Sequence, residues 1–348
     1  MNNIKIIVFN IKKLFIPISI CLFTMFLLIF SNANLSSAKT GLALWANSVV
    51  PSLLPFFIAT ELLGYTNIIS VLGKILNKLM RPLFNVPGEG AFPFIMGIIS
   101  GYPMGAKIVS NFKSQGICTD EEAERLLAFT NNSGPLFIIG TVGIGLFKDT
   151  NTGILLFITH ILACLTVAFL FRFWKSSKRF GKKGASPLFP KEQVSISNLG
   201  EVLATSIMNA INTIFLIGGF IVLFSVIISI LQNSGILNAV SHLIHPILNI
   251  LNIPLSFANG IFTGLLEVTN GVCNIANIAN KSISTNIIIC SFLLGFGGIS
   301  IMLQILSITS KAKISIKPYI IGKLFQGLFA SIYTYVFIYT IPIFNLNL

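Results

Sequence analysis

Polar residues in this chain serve mostly as short punctuation between long apolar stretches. An apolar run from Leu14 to Phe30 comes first, behind Lys5, Lys12 and Lys13. Apolar segments then fall near 41–66, 69–84, 91–113, 122–147 and 153–174, the fourth split in its middle. A basic polar stretch, Lys175 to Gln193, follows, with six Lys or Arg and one Glu. Beyond it lie 204–231, 236–250, 255–275, a split 283–309 and 318–343. Runs of about 20 apolar residues are long enough to span a bilayer as helices. The pattern predicts an all-α polytopic membrane protein.

The order of segment lengths is the same before and after the basic stretch. Several landmarks recur 163 residues apart: Gly97 and Gly101 with Gly260 and Gly264, Phe129 with Phe292, Gly134 with Gly297. RPLFNVP (81–87) is echoed by HPILNILNIP (245–254). We read a duplication: an N-terminal helix (1–38), a first repeat (39–175), a cytoplasmic basic loop (176–203) and a second repeat (204–345). If 41–66, 91–113 and 153–174 each cross once and the split segment enters and leaves on one side, each repeat crosses three times. An odd number inverts the second copy. Charge agrees with inversion, because Lys and Arg collect on the cytoplasmic side. Lys74, Lys78 and Arg81 mark 69–84 as cytoplasmic, while its counterpart 236–250 has neither Lys nor Arg. KDTNTG (148–153) is neutral, whereas KAKISIKP (311–318) and the nearby Lys281 are basic and placed inside; the uncharged tail IFNLNL is external. Lys113 is the one residue at odds with this arrangement.

Both split segments hold poor helix formers where a membrane is deepest. Asn131-Asn-Ser-Gly-Pro135 interrupts the first, and Gly295-Phe-Gly-Gly-Ile-Ser300 the second. Each flank of Asn131–Pro135 is about 20 Å long at 1.5 Å per residue, short of a ~30 Å hydrocarbon core. The expectation is therefore a re-entrant hairpin over 119–147, capped by Thr119 ahead of Asp120, Glu121 and Glu122, and another over 283–309. A single helix kinked at Pro135 is the alternative. The third segments are expected as broken crossings, at Gly101, Pro103 and Gly105 and at Gly264, Glu267, Asn270 and Gly271.

Interrupted backbone at membrane depth is tolerated where it is packed in protein or lines a watered cavity. Two breaks and two hairpin tips at related depth predict a central solute site. Limbs beginning at Pro135 and Gly298 would aim their N-terminal dipoles at it, favouring an anion. Asn131, Asn132, Ser133, Gly134 and Ser300 would supply donors or close backbone, with Gly101, Tyr102, Asn270 and Gly297 at the breaks. Lys107 could add a positive charge or snorkel to the interface. Glu267, a carboxylate in an apolar segment, reads as functional; Glu61 and Gln304 are further candidates for the same cavity.

Composition sharpens the class. The 348 residues are 54% hydrophobic and 9% charged, with mean hydropathy +0.88; soluble domains carry about 25% charged residues. Phe is abundant (31) and Trp rare (2), which suits lipid-facing helices. The net charge of +13 sits largely in inter-helix runs, so it orients helices and does not signal nucleic acid. Five scattered Cys and three His form no metal or disulfide spacing; His242 and His245 are read as interfacial. Without a nucleophile elbow, P-loop or dinucleotide fingerprint, an enzyme is not expected. The N-terminus resembles a signal peptide, but its apolar run is long and further segments follow, which favours a retained helix and a cytoplasmic N-terminus.

The stretches NSVVPSLLPFFIATELL (47–63), GIISGYPMGAKI (97–108), AFTNNSGPLFIIGTVG (128–143), GLLEVTNG (264–271) and FLLGFGGISIMLQ (292–304) together resemble the YlbJ-type sporulation integral membrane proteins. That family carries the nucleoside-recognition or gate domain, which is similar to half of a concentrative nucleoside transporter. The resemblance implies two inverted repeats with re-entrant hairpins and broken helices. It also implies a role in spore formation: movement of dipicolinic acid from the mother cell across the outer forespore membrane. The tip residues Asn131–Pro135 and Gly297–Ser300, with Glu267, would then face the ligand. A secondary transporter of a small anionic solute is thus the leading expectation. The alternative is a nucleoside-binding or scaffolding membrane module that does not transport. No cofactor is expected beyond a coupling proton or sodium ion, and no partner beyond the bilayer and the solute, with a homo-oligomer left open.

Overall fold

The structure, a computed structural model, describes residues 2–176, 194–279, 283–341 and 344, with side chains from Leu14 onward. Most of the basic loop, Lys281 and most of the IFNLNL tail lie outside them. Every regular element among the described residues is a helix, without a strand. Helices α1 (Asn2–Ile29) and α2 (Ser31–Leu44) lead through a π-turn, Trp45–Val49, into α3 (Val50–Gly64). Then follow α4 (Ile68–Phe84), α5 (Ala91–Ile99), α6 (Met104–Ser114), α7 (Asp120–Phe129), a π-helical limb Leu136–Leu146 and α8 (Thr150–Phe171). The second half comprises α9 (Leu199–Asn233), α10 (Ile236–Ile250), α11 (Ala258–Leu266), α12 (Val268–Ala276), α13 (Ile283–Phe296), α14 (Gly298–Thr309) and α15 (Lys317–Thr340). Element by element, α4–α8 is matched by α10–α15. Five described spans are long and apolar enough to cross a membrane: Ser31–Gly64, α8, the 35-residue α9, Ile283–Ala312 and α15.

Glycine contacts reveal which segments double back. A Cβ on Gly271 would lie 2.0 Å from the Gly264 Cα, and one on Gly260 would meet Ile275. These pairs are symmetric about Glu267, so α11 and α12 form a tight antiparallel hairpin with Glu267 at its tip. Helices α5 and α6 do the same about residues 100–103, with Gly97 facing Gly105. Gly101 at that tip has φ +76°, a conformation that only glycine adopts readily.

The segment 119–147 does not double back. Gly143 packs on Gly153 near the start of α8, the Cys164 thiol donates to Phe129 O (3.0 Å) midway, and Arg125 Nη1 donates to Trp174 O (2.8 Å) just past its end. The segment therefore runs antiparallel to α8 along its whole length, interrupted at 130–135. Likewise α13 runs back along α15: Gly295 packs on Gly327 and Thr334 Oγ1 donates to Ser291 Oγ (2.8 Å), while α14 continues past the break to pack on α6, α9 and α11. The expected roles are thus exchanged. Residues 91–114 and 258–276 are the hairpins, and 119–147 and 283–309 are interrupted lengthwise helices, the kinked-helix alternative in substance. Gly and Pro break a helix in either case; what decides reversal is whether small residues on the two limbs face each other, and composition of the break alone does not encode that. The number of lengthwise segments per repeat is unchanged.

One end of the bundle gathers charge. Arg81 pairs with Glu122, Lys113 with Asp120 (2.6 Å) and Lys175 with Glu124 (2.9 Å). The capping box expected at Thr119 is present, with Thr119 Oγ1 accepting from Glu122 N and the Glu122 carboxylate from Thr119 N. Lys113 thereby joins Arg81 at the same end, and the disagreement noted in the sequence disappears once 91–114 is a hairpin.

Candidate functional site

Each hairpin tip abuts the helix break of its own repeat. A Cβ on Gly101 would come within 3.1 Å of Gly134 N, and one on Gly298 within 3.1 Å of Gly264 O and 3.3 Å of Leu266 O. The breaks also touch each other, where Ser133 Oγ donates to Leu294 O (3.5 Å). Gly297 and Gly298 both have positive φ, +85° and +84°, so the second break is a paired left-handed turn that side chains would resist.

Beside the two tips and Gly134 of the first break lies a cavity of about 70 Å³; Asn131, Asn132 and Ser133 of the first break and Gly297, Gly298 and Ser300 of the second, expected to face the solute, are not part of its lining. Gly101 and Tyr102 line it from the first tip, Gly134 from the first break, and Glu267 and Thr269 from the second tip. Gln304 of α14 and Thr141 of the π-limb join them, closed over by Ser48 and Ser52 and by Ile217 and Ile221 of α9. Gln304 Nε2 reaches Ser300 Oγ (3.5 Å), while its buried Oε1 has no partner. That orphan acceptor borders the cavity beside Glu267.

Glu267 caps α12. Its carboxylate accepts from Thr269 N (3.0 Å) and Asn270 N (2.8 Å), so two of the amides left free at a helix start are satisfied. It is 3% exposed, and the positive end of α12 compensates its charge. Each carboxylate oxygen keeps lone-pair capacity beyond the single amide it accepts.

The other expected residues fall into distinct places. Asn131 and Asn132 are fully buried and tie the first break to neighbouring helices. Asn131 Nδ2 donates to Tyr319 Oη (3.3 Å), and Asn132 Nδ2 to Phe129 O (2.8 Å). Pro135 starts the π-limb. Asn270 contributes its backbone amide to Glu267 and lies outside the cavity lining. Lys107 sits in a separate cleft of about 250 Å³, where it pairs with Glu61 (2.7 Å) and donates to Thr213 Oγ1 (2.9 Å) and Asn209 O (3.2 Å). The two residues expected to share the cavity as separate charges are thus each other's partner, and they fasten α6 to α3 and α9.

Sequence reasoning missed a second polar layer behind the first break. Gln326 Nε2 donates to Asn132 Oδ1 (2.9 Å) and lies 3.3 Å from His160 Nε2; Lys323 Nζ donates to Gln326 Oε1 (2.8 Å). Further along α15, Thr334 Oγ1 lies 2.9 Å from Thr159 Oγ1. Polar residues at 319, 323, 326 and 334 on one face of an otherwise apolar helix were the available signal.

The family described as "Nucleoside recognition" (Gate) matches the chain twice, over residues 46–217 and 214–344. This chain belongs to the nucleoside-recognition Gate family. The sporulation integral membrane protein YlbJ of Bacillus subtilis (strain 168) is 35% identical over 314 residues, 86% of this chain and 76% of that protein. The Gate protein is therefore an integral, multi-pass membrane protein of the YlbJ sporulation type. Its fold is similar to that of a concentrative nucleoside transporter. One double variant of CNTnw in an outward-facing state superposes with a TM-score of 0.54 at 13% identity, over 94% of this chain and 88% of that one. A second gives 0.52 at 14% identity, over 84% and 76%.

Proposed function

We propose that the protein is a secondary transporter of a small polar, anionic solute, with dipicolinate moved from the mother cell across the outer forespore membrane as the leading substrate. The observation that carries this reading is the meeting of two hairpin tips and the first helix break around one small cavity, with the second break packed against its own tip. Such interrupted backbone at mid-membrane is how inverted-repeat transporters hold solute. The cavity, at about 70 Å³, is well below the ~300 Å³ of ordinary small-molecule sites. Entry of a solute then requires the tips to part from the breaks, which is the motion alternating access needs. With the charged end of α4, α6 and α7 on the cytoplasmic side, the N-terminus is cytoplasmic, the second repeat inverted and the C-terminus external.

The positive ends of the π-limb and α14 favour an anion. Glu267 works the other way, since a buried carboxylate disfavours a second one nearby. It suits a solute that brings hydroxyl or N–H donors. This observation supports the second reading, a module that binds a nucleoside-like ligand without transporting it. The test is uptake of labelled dipicolinate into vesicles containing only this protein, with counterflow against unlabelled dipicolinate and against nucleosides. Uptake exchanged by dipicolinate alone supports the first reading. Nucleoside binding without any exchange supports the second, and exchange by nucleosides alone replaces dipicolinate as the substrate.

A further inference from the structure

We propose that Lys323 is the proton-carrying group of this protein, gaining and losing a proton in step with an anion in the central cavity; the inference rests on the transport reading above. Lys323 is 2% exposed, on the inward face of α15. No carboxylate pairs with it among the described residues. Its polar surroundings are neutral: Gln326 Oε1 at 2.8 Å, the Tyr319 ring at 6.0 Å, and, beyond Gln326, Asn132 and His160. A lone ammonium inside a membrane protein is costly and is usually retained for function. The ring face offsets part of that cost.

The ionisable groups on the packed elements are few. From α8 come His160 and Cys164, which the Lys323 charge reaches; from α15 itself comes Tyr319. Helix α7 offers Asn131 and Asn132 here, and α13 offers Ser291. The acids of α7 are engaged at its far end, Asp120 with Lys113, Glu122 with Arg81 and Glu124 with Lys175, and Glu121 is exposed. Nothing fixed therefore holds Lys323 in its charged form.

The wiring suits a group that changes charge. Ammonium and neutral amine both donate to Gln326 Oε1, so the proton can leave without breaking the chain Lys323–Gln326–Asn132. Asn132 belongs to the interrupted backbone two residues before Gly134, which lines the cavity. An anion there stabilises the ammonium through a low-dielectric interior, and its departure removes that support. The step is balanced: hydronium gives its proton to the Nζ lone pair and leaves as water, and the reverse occurs on release. His160, whose buried Nδ1 has no partner, lies beside Gln326 as a station for water or proton passage.

The experiment uses vesicles of the full chain with a pH dye trapped inside and labelled dipicolinate outside, for wild type, Lys323→Met and Lys323→Arg. The parent is expected to acidify the lumen as solute enters. In both variants solute-linked acidification is lost while label still exchanges against trapped dipicolinate, because Arg keeps its charge and does not release a proton. Parent exchange without proton movement overturns the inference alone. So does acidification persisting in either variant, or vanishing only in Glu267→Gln. Absence of exchange in the parent overturns the transport reading and this inference with it.

Discussion

Glu267 illustrates how one side chain can serve structure and ligand together. Its two amide contacts hold the start of α12, and its remaining lone pairs border the cavity. Glu267→Gln keeps one acceptor oxygen, so the cap should weaken by about 1 kcal/mol or less, read as a small drop in thermal midpoint. Solute binding should change far more than stability, measured by ligand-induced thermal shift. Loss of fold and binding together would leave Glu267 only a cap. The Glu61–Lys107 pair is the contrasting case, since its charges are spent on each other. Glu61→Gln and Lys107→Met should each cost more than the double variant implies, with a coupling of roughly 1–3 kcal/mol in a double-mutant cycle. Additive effects would mean that solvent in the cleft screens the pair.

At the scale of elements, close backbone approach decides the architecture. Gly97 and Gly105 both face Thr130 O, which a Cβ would meet at 1.7 and 1.9 Å. Gly105→Ala should therefore unseat the α5–α6 hairpin from the first break and abolish solute binding. Gly116→Ala, which meets nothing nearby but sits at φ +71°, should cost only local strain. Equal loss in both would show that the Thr130 contact is not the cause. The start of α8 gives a pH signature. Asp149 caps it, and its carboxyl is held below the usual range by the Thr152 hydroxyl first, then by the Thr152 and Asn151 amides, against partial burial. A carboxyl depressed in the folded state adds stability above the unfolded value near about 3.9 and loses it as pH falls through the folded value. Asp149→Asn should flatten the acid limb of the thermal midpoint below roughly pH 4. An unchanged acid limb would assign that limb to other carboxylates.

For the whole molecule, the revised path of the chain makes a labelling pattern. Gln115 and Asn151 are both exposed and stand at opposite ends of the segment laid along α8. Cysteines placed there should react with an impermeant thiol reagent from opposite faces of the membrane. Cysteines at Asn252 and Asn277, flanking the α11–α12 hairpin, should react from the same face. The reverse pattern would restore the first assignment of hairpins. Segment positions and the sites of interruption were legible because apolar length and Gly, Pro and Asn punctuation are local properties. Which interruption reverses the chain was not, because it depends on Gly264 finding Gly271 and Gly143 finding Gly153 in space. The Lys323–Gln326–His160 layer was half visible, since Lys323 and Gln326 share a face of α15, but their partners Asn132 and His160 come from distant stretches and meet them only when α8 and α15 are packed.

Helix α9 bears on the surrounding lipid. At 1.5 Å per residue its 35 residues extend about 52 Å, while a helix tilted by 40°, the upper end of the usual range, uses only about 26 residues to traverse a ~30 Å hydrocarbon layer. Several residues must project into the headgroups or water, and the slant must change when the layer thins or thickens. Because Ile217 and Ile221 of this long helix line the cavity, acyl-chain length becomes a dial on access. Reconstitution into short- and long-chain phosphatidylcholines should shift turnover even though no lipid touches the solute.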